Sequence, residues 1–272
     1  MHDEHLIVPD WPAPATVRSL ITTRQGGVGA APYASFNLGD HVGDDPAAVA
    51  RNRERLARNL PAPPCWLRQV HGTAVVDAAI AARLALIPVA DGAFARHPGV
   101  VCAVLTADCL PVLLCDRAGS IVAVAHAGWR GLQAGILERV VEAMDVPGQR
   151  LLAYLGPAIG PQSFEVGAEV RQSFLEAHRE AAAAFRPLPC DEGDAGTCPS
   201  GGHCRPGDGA RQHTGGWLAD LYLLARQSLW RLGIEDIHGG EYCTVRQASK
   251  FFSYRRDGVT GRMAALIWLG GE

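Results

Sequence analysis

Three residues able to hold a metal ion stand where the chain around them is apolar. They are His71 in Arg68-Gln69-Val70-His71-Gly72, Cys109 in Thr106-Ala107-Asp108-Cys109-Leu110-Pro111, and His126 in Ala123-Val124-Ala125-His126-Ala127-Gly128-Trp129-Arg130. Each ends or interrupts a strand-like run, where a side chain can be aimed rigidly into a pocket, and the glycine after His71 lets a ligand or backbone come close. Two imidazoles and a thiolate form a three-ligand zinc set that leaves the fourth position for water or substrate, the catalytic rather than the closed structural arrangement. Zinc there would polarise that water or an anionic nucleophile. Taken one at a time, the same residues also read as hydrogen-bonded core histidines and a small buried thiol. No short-range pair links them, so their convergence is a matter of tertiary structure.

The elements that must position these residues follow from periodicity and turn signals. A strand over Val17–Thr22 leads into Gly26-Gly27-Val28-Gly29, which does not complete a dinucleotide fingerprint. Pro46, with Asp44 and Asp45 as caps, opens a helix to about Leu60, and Pro61, Pro63 and Pro64 stop it. Strands are predicted at 65–70, 73–78, 100–106, 111–115 and 121–125, the last three forming the sheet core. Leu132, Ile136, Val140 and Met144 recur every four residues and predict one amphipathic helix after Gly131, followed by a strand over Leu151–Leu155. Further helices are predicted from Val166 to about Ala184 and from Trp217 to Leu232, and Arg262–Leu269 reads as a closing strand. Strands too close together for crossover helices predict a mixed sheet in an α/β or α+β fold. The whole of 1–272 reads as one domain, with a loop rich in Cys and Gly at about 186–216.

Composition narrows the function. At 48% hydrophobic and 19% charged, the 272 residues can bury a full core, which excludes overall disorder. The net charge of −3 and the lack of like-charge runs argue against nucleic acid or an anionic membrane as partner. The basic residues are almost all arginine, Lys250 being the only lysine, which reflects base composition. No apolar run approaches a membrane span and Met1-His2-Asp3-Glu4-His5 is no secretory signal, so a cytoplasmic location is expected. Eight cysteines are too sparse for a disulfide scaffold, and Cys102 and Cys115 read as buried thiols. The ten histidines include no His-x-His pair, which argues against a multicopper oxidase. The His-x-Glu with Pro-Cys-x-x-Cys of zinc deaminases, the His-Glu-x-x-His of zinc proteases and the P-loop are also missing.

Five blocks carry a resemblance. Gln69-Val70-His71-Gly72, Thr106 to Val112, Ala125 to Gly131, Leu155-Gly156-Pro157-Ala158-Ile159-Gly160, and Phe251 to Asp257 with Thr260-Gly261-Arg262 resemble the signature set of the YfiH family. Ser35-Phe36-Asn37-Leu38-Gly39 and His41 to Asp45 fit the same pattern, so the likeness runs in order over nearly the whole chain. That family was long labelled multicopper polyphenol oxidoreductase, or laccase-domain protein, and is described as purine nucleoside phosphorylase. The resemblance implies an α+β, four-layer sandwich of mixed sheets and helices. It implies zinc, with copper the lesser candidate, at His71, Cys109 and His126. It also implies phosphorolysis of adenosine, inosine, guanosine and methylthioadenosine, with adenosine deamination besides.

Phosphorolysis needs donors for phosphate and an acid for the departing purine. Asn37, Arg53 and Arg255 are candidates for the first task. Asp108 is the nearest carboxylate for the second, or for orienting a ligand, but it reaches the site only if the strand ends or bends there. Arg255-Arg256 also reads as a solvated pair opening a hairpin. A competing reading takes Cys109 as a nucleophile with His126 or His71 as its base, in a hydrolase acting on peptidoglycan precursors. Finally, Cys190, Cys198, His203 and Cys204 offer a second, structural zinc set of unusual spacing, or incidental thiols in an insertion.

Overall fold

The structure is a computed structural model that describes residues 5–85, 87–188 and 216–271. Its strands, in chain order, are β1 (Leu6–Ile7), β2 (Val17–Thr22), β3 (Val75–Asp77), β4 (Gly92–Ala95), β5 (Cys102–Thr106), β6 (Leu110–Asp116), β7 (Val122–Ala127), β8 (Leu151–Leu155), β9 (Glu165–Val166), β10 (Phe185–Pro187), β11 (Trp217–Ala219), β12 (Ile237–Gly239) and β13 (Met263–Leu269). Six of them form a mixed sheet in the order β12-β8-β6-β7-β4-β3, with parallel pairs at its two edges and antiparallel pairs between. A second, antiparallel sheet runs β1-β2-β13-β5, and a small third one runs β10-β11-β9.

The apolar runs of β6 and β7 are buried along their whole length because both faces of their sheet are covered. Alternation divides them. Leu110, Val112 and Leu114 point to one face with Ala123 and Ala125, where they meet the helix Ile136–Met144, through Ile136, Val140 and Met144, and the helix Leu221–Arg231. Leu113, Cys115, Val122 and Val124 point to the other face and pack on Val104, Ala265 and Ile267 of the second sheet. The outer face of that sheet, through Ala103, Leu105 and Leu266, is covered by Phe36, Leu38 and Leu56 of the helix Pro46–Ala57. Helix, sheet, sheet and helix make four layers, and the mixed α+β class expected from the sequence is found.

Several boundaries differ from expectation for local reasons. The helix opened by Pro46 ends at Ala57, and the side chain of Asp45 caps it by accepting from the Ala47 N–H. The amphipathic segment after Gly131 is two helices, Trp129–Gln133 and Ile136–Met144, because Gly135 adopts a φ of 95° between them. The helix expected over 166–184 is instead β9, the helix Ala168–Ala177 and a short 3-10 turn, with extended His178 between the last two. Likewise Trp217–Ala219 pairs as β11 before Asp220 caps the helix Leu221–Arg231 by accepting from the Leu223 N–H. Residues 65–70 make isolated bridges at Cys65 and Arg68, and the later strand shortens to β3 because the helix Ala78–Arg83 begins where Asp77 caps it. Arg255 and Arg256 lie on a short helical turn, Tyr254–Asp257, and not on a hairpin. Cys102 and Cys115 are buried thiols, as expected, and burial pushes Cys115 up to about 12. Among the described residues no helix is long and apolar enough to cross a membrane.

Candidate metal centre

The register between β6 and β7 sets two of the three residues side by side. Pro111 pairs with His126 and Leu110 with Ala127, so Cys109, one step before β6, lies next to the end of β7 that carries His126. The chain turns sharply into β6 through Asp108, whose φ is 97°. His71 comes from the loop before β3, also in the left-handed region with a φ of 59°. Two non-glycine residues in that region beside one cluster are a cost the fold retains where a constellation must be held. The His71 Nε2 lies 3.7 Å from the Cys109 Sγ, the two imidazole rings are 4.8 Å apart between centroids, and the three ligand atoms all lie within 4.8 Å of one another.

One residue absent from the sequence expectations assembles this cluster. Asp91, fully buried just before β4, accepts hydrogen bonds from the backbone N–H groups of Val70 (3.1 Å), His71 (2.9 Å) and Gly72 (2.8 Å). Its Oδ1 also meets the His126 Nδ1 at 2.8 Å, and its carbonyl accepts the His126 N–H at 2.7 Å. The carboxylate thus fixes the His71 loop and the His126 ring together. With Nδ1 donating to Asp91, His126 would present its Nε2 lone pair to a metal that displaces the Nε2 proton. Burial alone would raise the Asp91 pKa, but the bonds from His126, Gly72 and Val70 outweigh it and hold the carboxylate below its usual range. The signal available in the sequence was a lone carboxylate, Asp91-Gly92, at the mouth of an apolar strand, since a buried carboxylate must be paired.

The thiol is tuned in the same way. Burial would raise Cys109, yet the charge and hydrogen bond of His126, with a smaller contribution from His71, bring it down to about 6. Against burial, which would lower it, His126 rises to about 9 beside the Cys109 thiolate and Asp91. A thiolate next to an imidazole is the protonation state in which Cys binds a metal. Gly128 leaves the room: a Cβ there would sit 2.9 Å from both the Cys109 Sγ and the His71 Cδ2.

The three residues fit a metal ion. Tetrahedral zinc at about 2.3 Å from sulfur and about 2.0 Å from nitrogen places S and N roughly 3.6 Å apart, close to the spacing found. His126 is buried, Cys109 half-buried and His71 exposed, so the cluster opens to solvent on the His71 side. Among the described residues this is the one group of three or more such side chains able to hold a metal. Cys190, Cys198, His203 and Cys204 lie outside the described residues.

The remaining candidates are already engaged by other partners. Both oxygens of Asp108 accept hydrogen bonds, Oδ1 from the Thr244 hydroxyl and Oδ2 from the Arg255 N–H at 2.7 Å, which ties the turn before Cys109 to residues 244 and 255. The chain bends at Asp108, whose φ is 97°. Asn37 is buried and uses both ends of its amide, on Gly39, Asp44 and the Arg262 N–H. Arg53 donates to the Leu38 carbonyl, pairs with Asp40 at 3.2 Å and stacks over Trp66. Arg255 donates through both terminal nitrogens to the Glu165 carbonyl. Arg262, which the sequence expectations did not assign, is half-buried; burial lowers its pKa, and the charges of Cys109 and Asp108 act on its guanidinium in the opposite direction.

The chain is similar to known proteins over nearly its whole length. A family model described as multi-copper polyphenol oxidoreductase laccase matches residues 18–270. A Pseudomonas aeruginosa protein named purine nucleoside phosphorylase is 49% identical over 263 residues, covering 97% of this chain and 98% of its own. The Escherichia coli protein named purine nucleoside phosphorylase YfiH is 48% identical over 266 residues, with the same coverage. The solved structure of a Neisseria meningitidis protein matches with a TM-score of 0.88 at 49% identity, covering 98% of this chain and all of that one.

Proposed function

The chain belongs to the multi-copper polyphenol oxidoreductase laccase family, the YfiH proteins, and from that premise we propose that it is a zinc-dependent purine nucleoside phosphorylase. Its substrates are adenosine, inosine, guanosine and methylthioadenosine together with phosphate, and it also deaminates adenosine. The observation that carries this reading is the convergence of His71, Cys109 and His126 on one point that is open to solvent on the His71 side. The near full-length relatives named for the phosphorylase reaction support it.

In phosphorolysis the bond between the purine nitrogen and the sugar anomeric carbon breaks, a phosphate oxygen bonds to that carbon, and the purine leaves with a proton. Zinc, when bound, supplies Lewis-acid polarisation of an oxygen. The chain supplies the rest. Asp91 keeps the His126 ring oriented and the His71 loop closed on it. Cys109, paired with His126, stays a thiolate, the form in which it would hold the metal together with His71 and His126. Asp108, with both oxygens occupied, fixes the entry to Cys109, and this favours a positioning task over proton donation to the purine. Incubation with adenosine, with and without phosphate, tests the reading. Adenine and ribose 1-phosphate formed only with phosphate support it, and their absence with every nucleoside named refutes it.

A second reading has an observation of its own. The lowered Cys109 and raised His126 form a thiolate and imidazolium pair in metal-free protein, the state of a cysteine nucleophile with its base, suited to a hydrolase of peptidoglycan precursors. The two readings separate on metal dependence, because a metal-bound thiolate is not free to acylate.

A further inference from the structure

We propose that Arg262 receives the phosphate oxyanion at this site, and that Asn37 and Gly39 are the seat that aims it. The inference rests on the phosphorylase reading for the identity of the anion and on the following geometry for the residue.

Arg262 immediately precedes β13, whose first residue, Met263, pairs with Thr106 at the end of β5, three residues before Cys109. Its backbone is clamped from both sides: its N–H donates to the Asn37 Oδ1 at 2.8 Å, and its carbonyl accepts the Leu38 N–H at 3.1 Å. The aliphatic stem runs over Gly39, where a Cβ would lie 2.8 Å from the Arg262 Cγ and 3.2 Å from its Cβ, so a side chain at 39 would push the arginine aside. The Ser35-Phe36-Asn37-Leu38-Gly39 block is thereby explained as a mount for Arg262.

The head of the side chain is held by one edge only. Nη1 donates to the carbonyls of Thr260 and Gly261, at 3.0 Å each, which uses both of its hydrogens. Among the described residues no acceptor meets Nε or Nη2, and no carboxylate pairs with the guanidinium. Nε and Nη2 form the edge of arginine whose parallel N–H groups match two oxygens of one phosphate. The charges of Cys109 and Asp108 act on this half-buried cation, but neither is its hydrogen-bond or ion-pair partner among the described residues, so the open edge is left to an incoming anion. Arg53, by contrast, is paired with Asp40, and Arg255 turns both terminal nitrogens to the Glu165 carbonyl, so neither holds such an edge open.

Two measurements on zinc-loaded protein test this. Inorganic phosphate is titrated in the absence of nucleoside and followed by phosphorus NMR line broadening, and KM for phosphate and for adenosine are measured separately from kcat. Arg262→Gln should weaken phosphate binding and raise KM for phosphate at least about 30-fold, with KM for adenosine changed less than about threefold; Arg262→Lys, a point charge without the fork, should fall between. Gly39→Ala should raise KM for phosphate in the same direction by displacing the stem. Unfolding midpoint and zinc content report whether each variant is intact, and Arg139→Gln, which removes an exposed arginine paired with Glu142, should leave both constants unchanged. Wild-type protein that does not bind phosphate, or folded Arg262→Gln and Arg262→Lys variants that bind it as wild type does, overturns the inference. If wild type binds phosphate through Arg262 but forms no ribose 1-phosphate from any nucleoside, the assignment of Arg262 stands and the phosphorylase reading fails.

Discussion

The Asp91 carboxylate and the His126 imidazole are joined by a 2.8 Å hydrogen bond in which neither partner is open to solvent. Because the same carboxylate accepts three backbone N–H groups from residues 70–72, it links the strand-borne ligand to the loop-borne one. The two histidines are therefore positioned by one group, and the geometry of the cluster depends on it.

Asp91→Asn keeps the shape and removes the charge. It should weaken metal binding about 10- to 100-fold, the usual effect of losing a partner behind a ligating histidine, as read by competition with a chromophoric chelator. The folded Asp91 is held below its unfolded pKa, so the stabilisation it contributes is present above the ordinary carboxylate range, near pH 4, and is lost as pH falls through that range. Urea unfolding of metal-free protein should accordingly show a weaker loss of stability on acidification in the variant than in wild type. Equal metal affinity in the two proteins would contradict the role given to Asp91.

Gly128→Ala places a methyl group 2.9 Å from the Cys109 Sγ and the His71 Cδ2. The expected outcome is a folded protein, by circular dichroism, with zinc content reduced from about one per chain to well below half. Full zinc occupancy in the variant would show that the cluster tolerates expansion and is looser than described.

In metal-free protein Cys109 should react with iodoacetamide as a thiolate at neutral pH, the rate rising through a midpoint near 6 because His126 and His71 stabilise the charged form. An ordinary thiol has its midpoint near 8.5. His126→Ala should move the midpoint upward, and added zinc should suppress labelling. A midpoint near 8.5 in wild type would remove the electrostatic pairing inferred for the site.

Asp108 and Thr244 form one hydrogen-bonded unit across the turn that leads to Cys109. If Asp108 acts by holding that turn, Asp108→Asn and Thr244→Val should each lower kcat modestly, and the double variant should lose little more, with a coupling of about 0.5–3 kcal/mol. If Asp108 is the acid for the departing purine, Asp108→Asn should lose about 100-fold or more while Thr244→Val stays near wild type.

Much of this architecture was legible in the sequence for plain physical reasons. Val17–Thr22 and Leu151–Leu155 are strands at the bounds expected, and the apolar runs around Cys102, Leu113 and Val124 are the strands that carry the site. The breaks were less legible. A four-residue apolar spacing survives across Gly135 because the two short helices continue the same buried face, so periodicity could not show the interruption. Trp217–Ala219 has a helical pattern in sequence because its partner strand, Phe185–Pro187, lies 30 to 34 residues earlier in the chain, beyond the reach of local pattern. The metal-capable trio was nameable from residue type and family likeness, but its convergence depends on the β6–β7 register and on Asp91. That residue's partners lie about 20 and 35 positions away. From sequence alone Asn37 is a candidate donor to phosphate, because nothing local shows that its amide engages Gly39, Asp44 and the backbone of Arg262.

The most direct test of the account is product chromatography after incubation with adenosine and phosphate. Protein as purified is run beside chelator-treated protein, with zinc restored to half of the latter. The account predicts adenine and ribose 1-phosphate that vanish on chelation and return with zinc, together with inosine that follows the same metal dependence. Undiminished products from metal-free protein, or from His126→Ala, would contradict a function carried by zinc at His71, Cys109 and His126.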